Sequence, residues 1–385
     1  MDEHVIRTYV RRPEVFVSGE GCVLRDAEGR EWLDFLGGIA VSALGHGHPG
    51  LVEALQDQAG KLLHVSNLYR HPFTEDVASR MARLSGMEAV FFTNSGAEAT
   101  ECALKLARKA QRMRGNPERT GFVALEGGFH GRTMGALSVT SGAKYRDPFA
   151  PLVPGVTFVG RGDLEALAQA LRTEPAALII EPIQGEGGIF DHGAEYLRAA
   201  RDLCTETGTL LIHDEVQCGS GRTGKFLCGA WSGIVPDIAT LAKPIAAGLP
   251  MGACMVAKGL EETLVPGDHG STFAGGPLVL RAAQVVLSAL EQGLLEEVTA
   301  RGEQFRAGLE DLQRRHPAVQ EVRGRGLMLG LRTERGPDVQ KALFDRGLIT
   351  NCTAGDVVRF LPPYVVTAAE IDRALEILDQ TLAAL

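Results

Sequence analysis

From about residue 50 to residue 275, short apolar runs alternate with helical stretches, and this alternation constrains the fold more than any other feature of the chain. The runs fall at 89–92, 121–125, 177–180, 209–212 and 238–241, and the helical stretches include 98–114, 163–173 and 194–207. A four- or five-residue run with no polar alternation reads as a strand buried on both faces. Helical crossovers supply the cover, so the pattern predicts a mostly parallel sheet with helices on either side. The flanks read differently. Residues 14–40 are short strands broken by glycine turns; beyond 277 come a long helix (277–315), strands near 319–332 and 356–366, and a closing helix (368–383). The expected class is α/β. A large domain over 51–276 carries the parallel sheet, and 1–50 and 277–385 pair into a smaller α+β domain.

Bulk properties narrow the function. A net charge of −9 on 385 residues argues against nucleic acid or an anionic membrane as the main partner. The seven cysteines are scattered with no CxxC pair, which fits reduced thiols better than disulfides or a zinc site, and no metal is expected. The first residues carry no signal-peptide pattern, and no apolar run approaches the roughly 20 residues of a membrane span. A soluble, cytoplasmic protein is the expectation.

In open α/β sheets ligands bind beyond the carboxyl ends of the strands, and the polar motifs of this chain collect there. Asn94-Ser95-Gly96-Ala97-Glu98 follows a strand and opens a helix. Ser95 and Glu98 have capping-box spacing, Gly96 permits close approach, and the free N–H groups suit a phosphate; a plain helix cap is the alternative. Phe129, in Gly127-Gly128-Phe129-His130-Gly131-Arg132-Thr133, can stack on a flat cofactor, and Arg132 can clasp a carboxylate. Glu186, in Glu181-Pro182-Ile183-Gln184-Gly185-Glu186, can pair with an arginine or shape a substrate pocket. Asp214 closes the run before Glu215-Val216-Gln217, and Lys243 closes another, 29 residues on. A strand-end lysine facing a strand-end aspartate suits pyridoxal phosphate: the amine holds the aldehyde, and the carboxylate keeps the pyridine nitrogen protonated. Either residue alone would read as a surface lysine or a strand-end cap.

Three motifs mislead. Gly219-Ser220-Gly221-Arg222-Thr223-Gly224-Lys225-Phe226 nearly spells a Walker A loop, but Phe226 stands where a hydroxyl must hold magnesium and no helix follows. A non-catalytic nucleotide-binding module resting on 219–225 is the remote alternative function. Gly324-Arg325-Gly326-Leu327-Met328-Leu329-Gly330 imitates a dinucleotide loop but leads into a strand. His46 and His48 suggest a metal, yet no further ligand is near, and a structural turn is the better reading.

With these segments in hand, the chain resembles the class III, ornithine-type aminotransferases of fold type I, from about residue 8 to the C-terminus. The likeness is carried by Asn94-Ser95-Gly96-Ala97-Glu98-Ala99, Phe129-His130-Gly131-Arg132-Thr133, Glu181-Pro182-Ile183-Gln184-Gly185-Glu186, Asp214-Glu215-Val216-Gln217, Leu241-Ala242-Lys243 and His269-Gly270-Ser271-Thr272-Phe273. The resemblance implies pyridoxal 5′-phosphate held on Lys243, with Asp214 at the pyridine nitrogen and Gln217 near the phenolic oxygen. Phe129 and Val216 would flank the ring, with Ser95, Gly96, Ala97 and Glu215 among the binding residues. It implies a homodimer in which Ser271 and Thr272 reach the partner's site. Arg132 would bind a substrate carboxylate, and Glu186 would mask Arg359 until 2-oxoglutarate requires it. Gly37-Gly38-Ile39-Ala40-Val41 and Ser66-Asn67-Leu68-Tyr69 resemble the branch acting on N2-acetylornithine; succinylornithine, succinyldiaminopimelate and carrier-bound aminoadipate semialdehyde are alternatives. Two departures, Ala246-Ala247-Gly248 for a triple glycine and Gly275-Gly276-Pro277 for Gly-Asn-Pro, bear on cofactor geometry.

Overall fold

A computed structural model describes residues 4–384. Its centre is a seven-stranded sheet in the order Ala89–Thr93, Gly252–Val256, Ile238–Leu241, Leu210–Asp214, Ala177–Ile180, Phe122–Leu125, Val156–Val159. Only Gly252–Val256 runs antiparallel to its neighbours. The strands at 156–159 and 252–256 escaped the sequence reading. The first is half-buried at the sheet edge, and the second runs without a break into the glycine-rich loop before it.

Side chains alternate across this sheet with period two, as the pleat requires. Phe122 and Ala124 face helix Gly96–Met113, packing with Cys102, Ala103, Leu106 and Ala107. Val123 and Leu125 face helices Leu164–Leu171 and Gly193–Thr207, with Leu167, Leu171, Tyr196 and Leu197. Both faces are dry, which is why the strands carry no polar alternation.

The flanking segments form two further four-stranded sheets. Phe16–Glu20, Val23–Asp26 and Glu31–Asp34 form a sheet completed by Leu348–Ile349, which pairs Leu348 with Leu33 in parallel. Glu321–Arg325, Met328–Arg332, Val357–Phe360 and Asn351–Thr353 form an antiparallel sheet. Helices Pro49–Ala59 and Phe73–Ser85 pack on Pro277–Ala289. That helix continues through a π-helical turn at Leu290–Leu294, where Gly293 lies at φ 112°, into Leu295–Arg315. By length and composition 277–315 could cross a membrane. Its apolar residues Leu280, Val286, Leu287, Val298, Phe305 and Leu309 are instead buried in the core.

The misleading motifs find structural explanations. Gly326 begins the two-residue turn between the strands ending at Arg325 and starting at Met328. A Cβ there would sit 2.7 Å from the Thr223 backbone, and one on Gly302 would sit 2.5 Å from Gly326. Two glycine-rich runs and a helix thus pack backbone against backbone. Buried Arg222 ties them together, donating to the carbonyls of Leu327 and Pro362. His46 Nε2 pairs with Asp34 Oδ2 at 2.9 Å, and His48 Nδ1 accepts from Leu51 N–H at the start of helix Pro49–Ala59. Both histidines are structural.

Candidate active site

The strand ends converge on a cavity of about 440 Å³, within the range of small-molecule sites. Ser95, Gly96, Ala97, Phe129, Arg132, Asp214, Val216, Gln217 and Lys243 all line it.

At one wall, Ser95 caps helix Gly96–Met113 by accepting from Glu98 N–H at 3.2 Å. The reciprocal half of the expected box is displaced by one residue: Glu98 Oε2 accepts from the backbone N–H (2.8 Å) and side-chain amide (2.9 Å) of Asn94. The helix presents its first N–H groups and positive dipole end to the cavity, an arrangement suited to a phosphate. Gly96 is required because a Cβ would lie 2.7 Å from Val216 Cγ1; the close approach is to a side chain of the opposite wall.

Asp214, 3% exposed, ends its strand pointing into the cavity. Its Oδ1 accepts from Val216 N–H (3.0 Å) and Thr240 Oγ1 (3.2 Å), and its Oδ2 meets His130 Nδ1 at 2.7 Å. His130, 4% exposed, was quoted in the sequence but given no role. Burial works against its protonation, while the hydrogen bond and charge of Asp214, with Glu181 behind, raise its pKa above the ordinary value. Glu181 is pushed up to about 7 by burial; its oxygens accept from Phe129 N–H and Gly185 N–H. No periodicity signals such a pair, because the two residues are 84 positions apart.

Lys243 opens onto the cavity at φ 41°, a left-handed conformation unusual for a side-chain-bearing residue. Burial holds its amine below the ordinary lysine value, against the opposing pull of Asp214 and Glu186. Among the described residues no group hydrogen-bonds that amine. A half-buried lysine without a partner, an oriented carboxylate, an open helix N-terminus and two facing apolar side chains, Phe129 and Val216, together fit pyridoxal phosphate.

Arg132 stands exposed at the mouth, its guanidinium 4.1 Å from the Tyr145 ring centroid and 5.4 Å from that of Phe129. Deeper in, Arg359 is fully buried on strand Val357–Phe360. Its Nη1 donates to Glu186 Oε1 (2.6 Å) and Gln217 Oε1 (2.8 Å), and its Nε to Asn351 Oδ1 (3.0 Å). Burial raises the Glu186 pKa, but the Arg359 charge and hydrogen bond outweigh it and hold the carboxyl below its usual range. Gln217 is thus engaged with the ion pair, while also lining the cavity.

Glu215, Ser271 and Thr272 are not among the residues that line the cavity. Glu215 does not line the cavity: it follows Asp214 on the opposite side, fully buried, accepting from Cys228 N–H and Gly229 N–H at 2.7 Å each. Ser271 and Thr272 lie outside their own chain's cavity. Ser271 Oγ accepts from Asn94 Nδ2 at 2.9 Å, its carbonyl accepts from Asn67, and Thr272 is exposed. Of the altered glycine positions, Ala247 takes φ 45°.

Fold and cavity together define a pyridoxal-phosphate-dependent transaminase of fold type I. The family model described as aminotransferase class-III matches residues 7–382, and the chain belongs to that family. It is 45% identical to an acetylornithine aminotransferase of Caldanaerobacter subterraneus subsp. tengcongensis, across 99% of this chain and 98% of that one. With an acetylornithine aminotransferase of Aquifex aeolicus it shares 44% identity across 98% and 100%. Among solved structures, the ornithine aminotransferase of Toxoplasma gondii ME49 superposes with a TM-score of 0.95 at 34% identity, covering 99% of this chain and 93% of that one. The N-acetylornithine aminotransferase of Stenotrophomonas maltophilia gives 0.86 at 33%, covering 98% and 97%.

Proposed function

We propose that the chain transfers the terminal amino group of N2-acetylornithine to 2-oxoglutarate, giving N-acetylglutamate semialdehyde and glutamate, as a step of arginine biosynthesis in the cytoplasm. The carrying observation is a site with two guanidinium groups around one lysine: Arg132 free at the mouth and Arg359 masked by Glu186. Full-length similarity to proteins named acetylornithine aminotransferase supports the choice of donor.

Pyridoxal phosphate, when bound, supplies a carbonyl that takes up the amino group and a ring that accepts electrons. The chain's own residues do the rest. Lys243 would hold the cofactor, and its amine, whose pKa burial lowers, would remove the proton from the amine-bearing carbon of the donor. Asp214, oriented by His130 and Thr240, keeps a negative charge at the pyridine end. The N–H groups of Gly96 and Ala97 hold the phosphate, with Phe129 and Val216 flanking the ring. Arg132 receives the donor's carboxylate. Glu186 leaves Arg359 when the second carboxylate of 2-oxoglutarate arrives, so one pocket accepts a long acylated amine and a short diacid in turn.

The same reading makes the enzyme a homodimer, with Ser271 and Thr272 completing the partner's cavity. Leu68, Tyr69 and Phe273 are 87%, 68% and 72% exposed, and Asn67 ties their two segments together through the Ser271 and Ala274 carbonyls. Such an apolar patch suits an interface. We read the large domain as 51–276 and the smaller one as 1–50 with 277–385.

The test is a donor panel on purified protein: N2-acetylornithine, ornithine, succinylornithine, succinyldiaminopimelate and the carrier-bound lysine whose transamination gives carrier-bound aminoadipate semialdehyde. The highest kcat/KM is expected for acetylornithine, and a higher value for any other donor overturns the substrate. Borohydride reduction followed by peptide mapping should place the cofactor on Lys243. Full activity in Lys243→Ala would remove the transaminase mechanism itself.

A further inference from the structure

Behind Asp214, on the face of the strand turned away from the cofactor cavity, lies a second group of chemistry-bearing side chains. Glu215 and His213 are 0% exposed, Cys218 1% and Cys228 3%. The sequence spacing of 213, 215, 218 and 228 matches no zinc motif; the turn after the strand and the 3₁₀ segment Cys228–Ser232 bring these residues together. A Glu215 carboxylate oxygen and the two sulfurs all lie within 4.8 Å of one another. Cys218 Sγ is 3.5 Å from Glu215 Oε2. A tetrahedral ion with ligands at about 2.0–2.3 Å sets its donors roughly 3.3–3.8 Å apart, so this spacing already suits one.

An independent observation points the same way. Among the described residues the His213 imidazole has no hydrogen-bond partner at either ring nitrogen, although it is wholly buried. Its Nδ1 faces the same carboxylate, 3.9 Å from Glu215 Oε1. Gly229 packs closely against both: a Cβ there would sit 2.5 Å from His213 Nδ1 and 3.3 Å from Glu215 Oε1, so no larger residue fits beside them. Buried imidazoles normally find a partner, so an unpaired one beside the carboxylate of a carboxylate–dithiol cluster marks a polar site lacking an occupant.

We propose that Cys218, Cys228 and Glu215, with the unpaired His213 imidazole beside the carboxylate, form a buried site for one thiophilic d¹⁰ cation of the zinc class. Binding replaces the two thiol protons, and any proton on Glu215, with the ion; the protons leave to solvent and no electron moves. Two thiolates, one carboxylate and a divalent ion leave one negative charge. The backbone N–H groups of Cys228 and Gly229, already donating to Glu215, face that charge. The site is structural. It would clamp the turn 214–218, which carries Asp214, Val216 and Gln217 on its other side.

The holoenzyme itself provides the test. Cells are grown with added zinc or cobalt, and metal per chain is measured after extensive dialysis, alongside the visible spectrum of the cobalt protein. We expect about one ion per chain, thiolate-to-cobalt charge-transfer bands, and metal content at least about tenfold lower in Cys228→Ala and Cys218→Ala. Wild-type protein holding less than about a tenth of an ion per chain overturns the proposal, whether or not the variants fold. Equal metal in wild type and the double variant does the same, as does a Cys218–Cys228 disulfide found in metal-free protein by thiol counting. Because the readout is metal and not turnover, failure here is distinct from failure of the transaminase reading.

Discussion

Lys243 combines two penalties: a left-handed backbone, worth about 1–2 kcal/mol against a side-chain-bearing residue, and a desolvated amine. Both are the kind of strain that accumulates where chemistry occurs. Since burial lowers the pKa, the neutral amine appears at lower pH than in a free lysine. In cofactor-free protein, modification of Lys243 by an amine-selective reagent should show its inflection below the ordinary 10.5. An inflection at or above that value contradicts the geometry. His130 is the companion case. His130→Leu leaves Asp214 Oδ2 without its partner and should weaken cofactor binding by about 1.5–3 kcal/mol, whereas His130→Asn, whose amide can occupy the Nδ1 position, should recover most of it. Equal dissociation constants for both variants and wild type would remove His130 from the site.

Short elements carry their own tests. His192 stands at the start of helix Gly193–Thr207, stacked on Tyr196 with ring centroids 5.2 Å apart. Burial and the neighbouring Arg161 lower its pKa to about 4. The unfolded chain therefore binds a proton near pH 6.5 that the folded chain refuses until about 4. Stability from this group is present above pH 6.5 and drains away as the pH falls towards 4. Thermal midpoints of wild type should fall relative to His192→Phe across that window; parallel curves would refute it. In the long C-terminal helix, Gly293→Ala forces a Cβ onto φ 112° and should destabilise by about 1–2 kcal/mol in denaturant titration. The sequence made such elements legible unevenly. The strands buried on both faces stood out as unbroken apolar runs, and the motifs at their ends pointed to Asp214 and Lys243. The half-buried edge strand Val156–Val159 offered no such contrast. Glu215 shared a motif with Asp214, yet the strand pleat sends neighbours to opposite faces, which a motif cannot express. His130 became legible only when the sheet brought residues 84 apart into contact.

For the whole molecule, the exposed Leu68, Tyr69 and Phe273 make self-association the main expectation. Phe273→Asp should shift the protein from dimer to monomer in sedimentation and reduce activity by about tenfold or more, since charges are excluded from apolar interface cores. A monomeric wild type with full activity would rule out a shared site. Arg359 spans the two regions of the chain, being on a C-terminal strand yet paired with Glu186 from the turn that follows strand Ile183–Gln184. Truncating Arg359 to alanine should reduce kcat/KM for 2-oxoglutarate by about 1.5–3 kcal/mol of transition-state binding, and for the amino donor by less. The ion pair has a further meaning. A carboxylate fixed 2.6 Å from a buried guanidinium is a tethered inhibitor, present at an effective concentration no free diacid can match. On the proposed function the acceptor would have to displace it on every cycle, and weak affinity for the acceptor would then be a setting of the chain rather than a defect of its pocket. Glu186→Ala would release that brake: acceptor KM should drop, and the acceptor should begin to inhibit by occupying the site when the donor's turn comes.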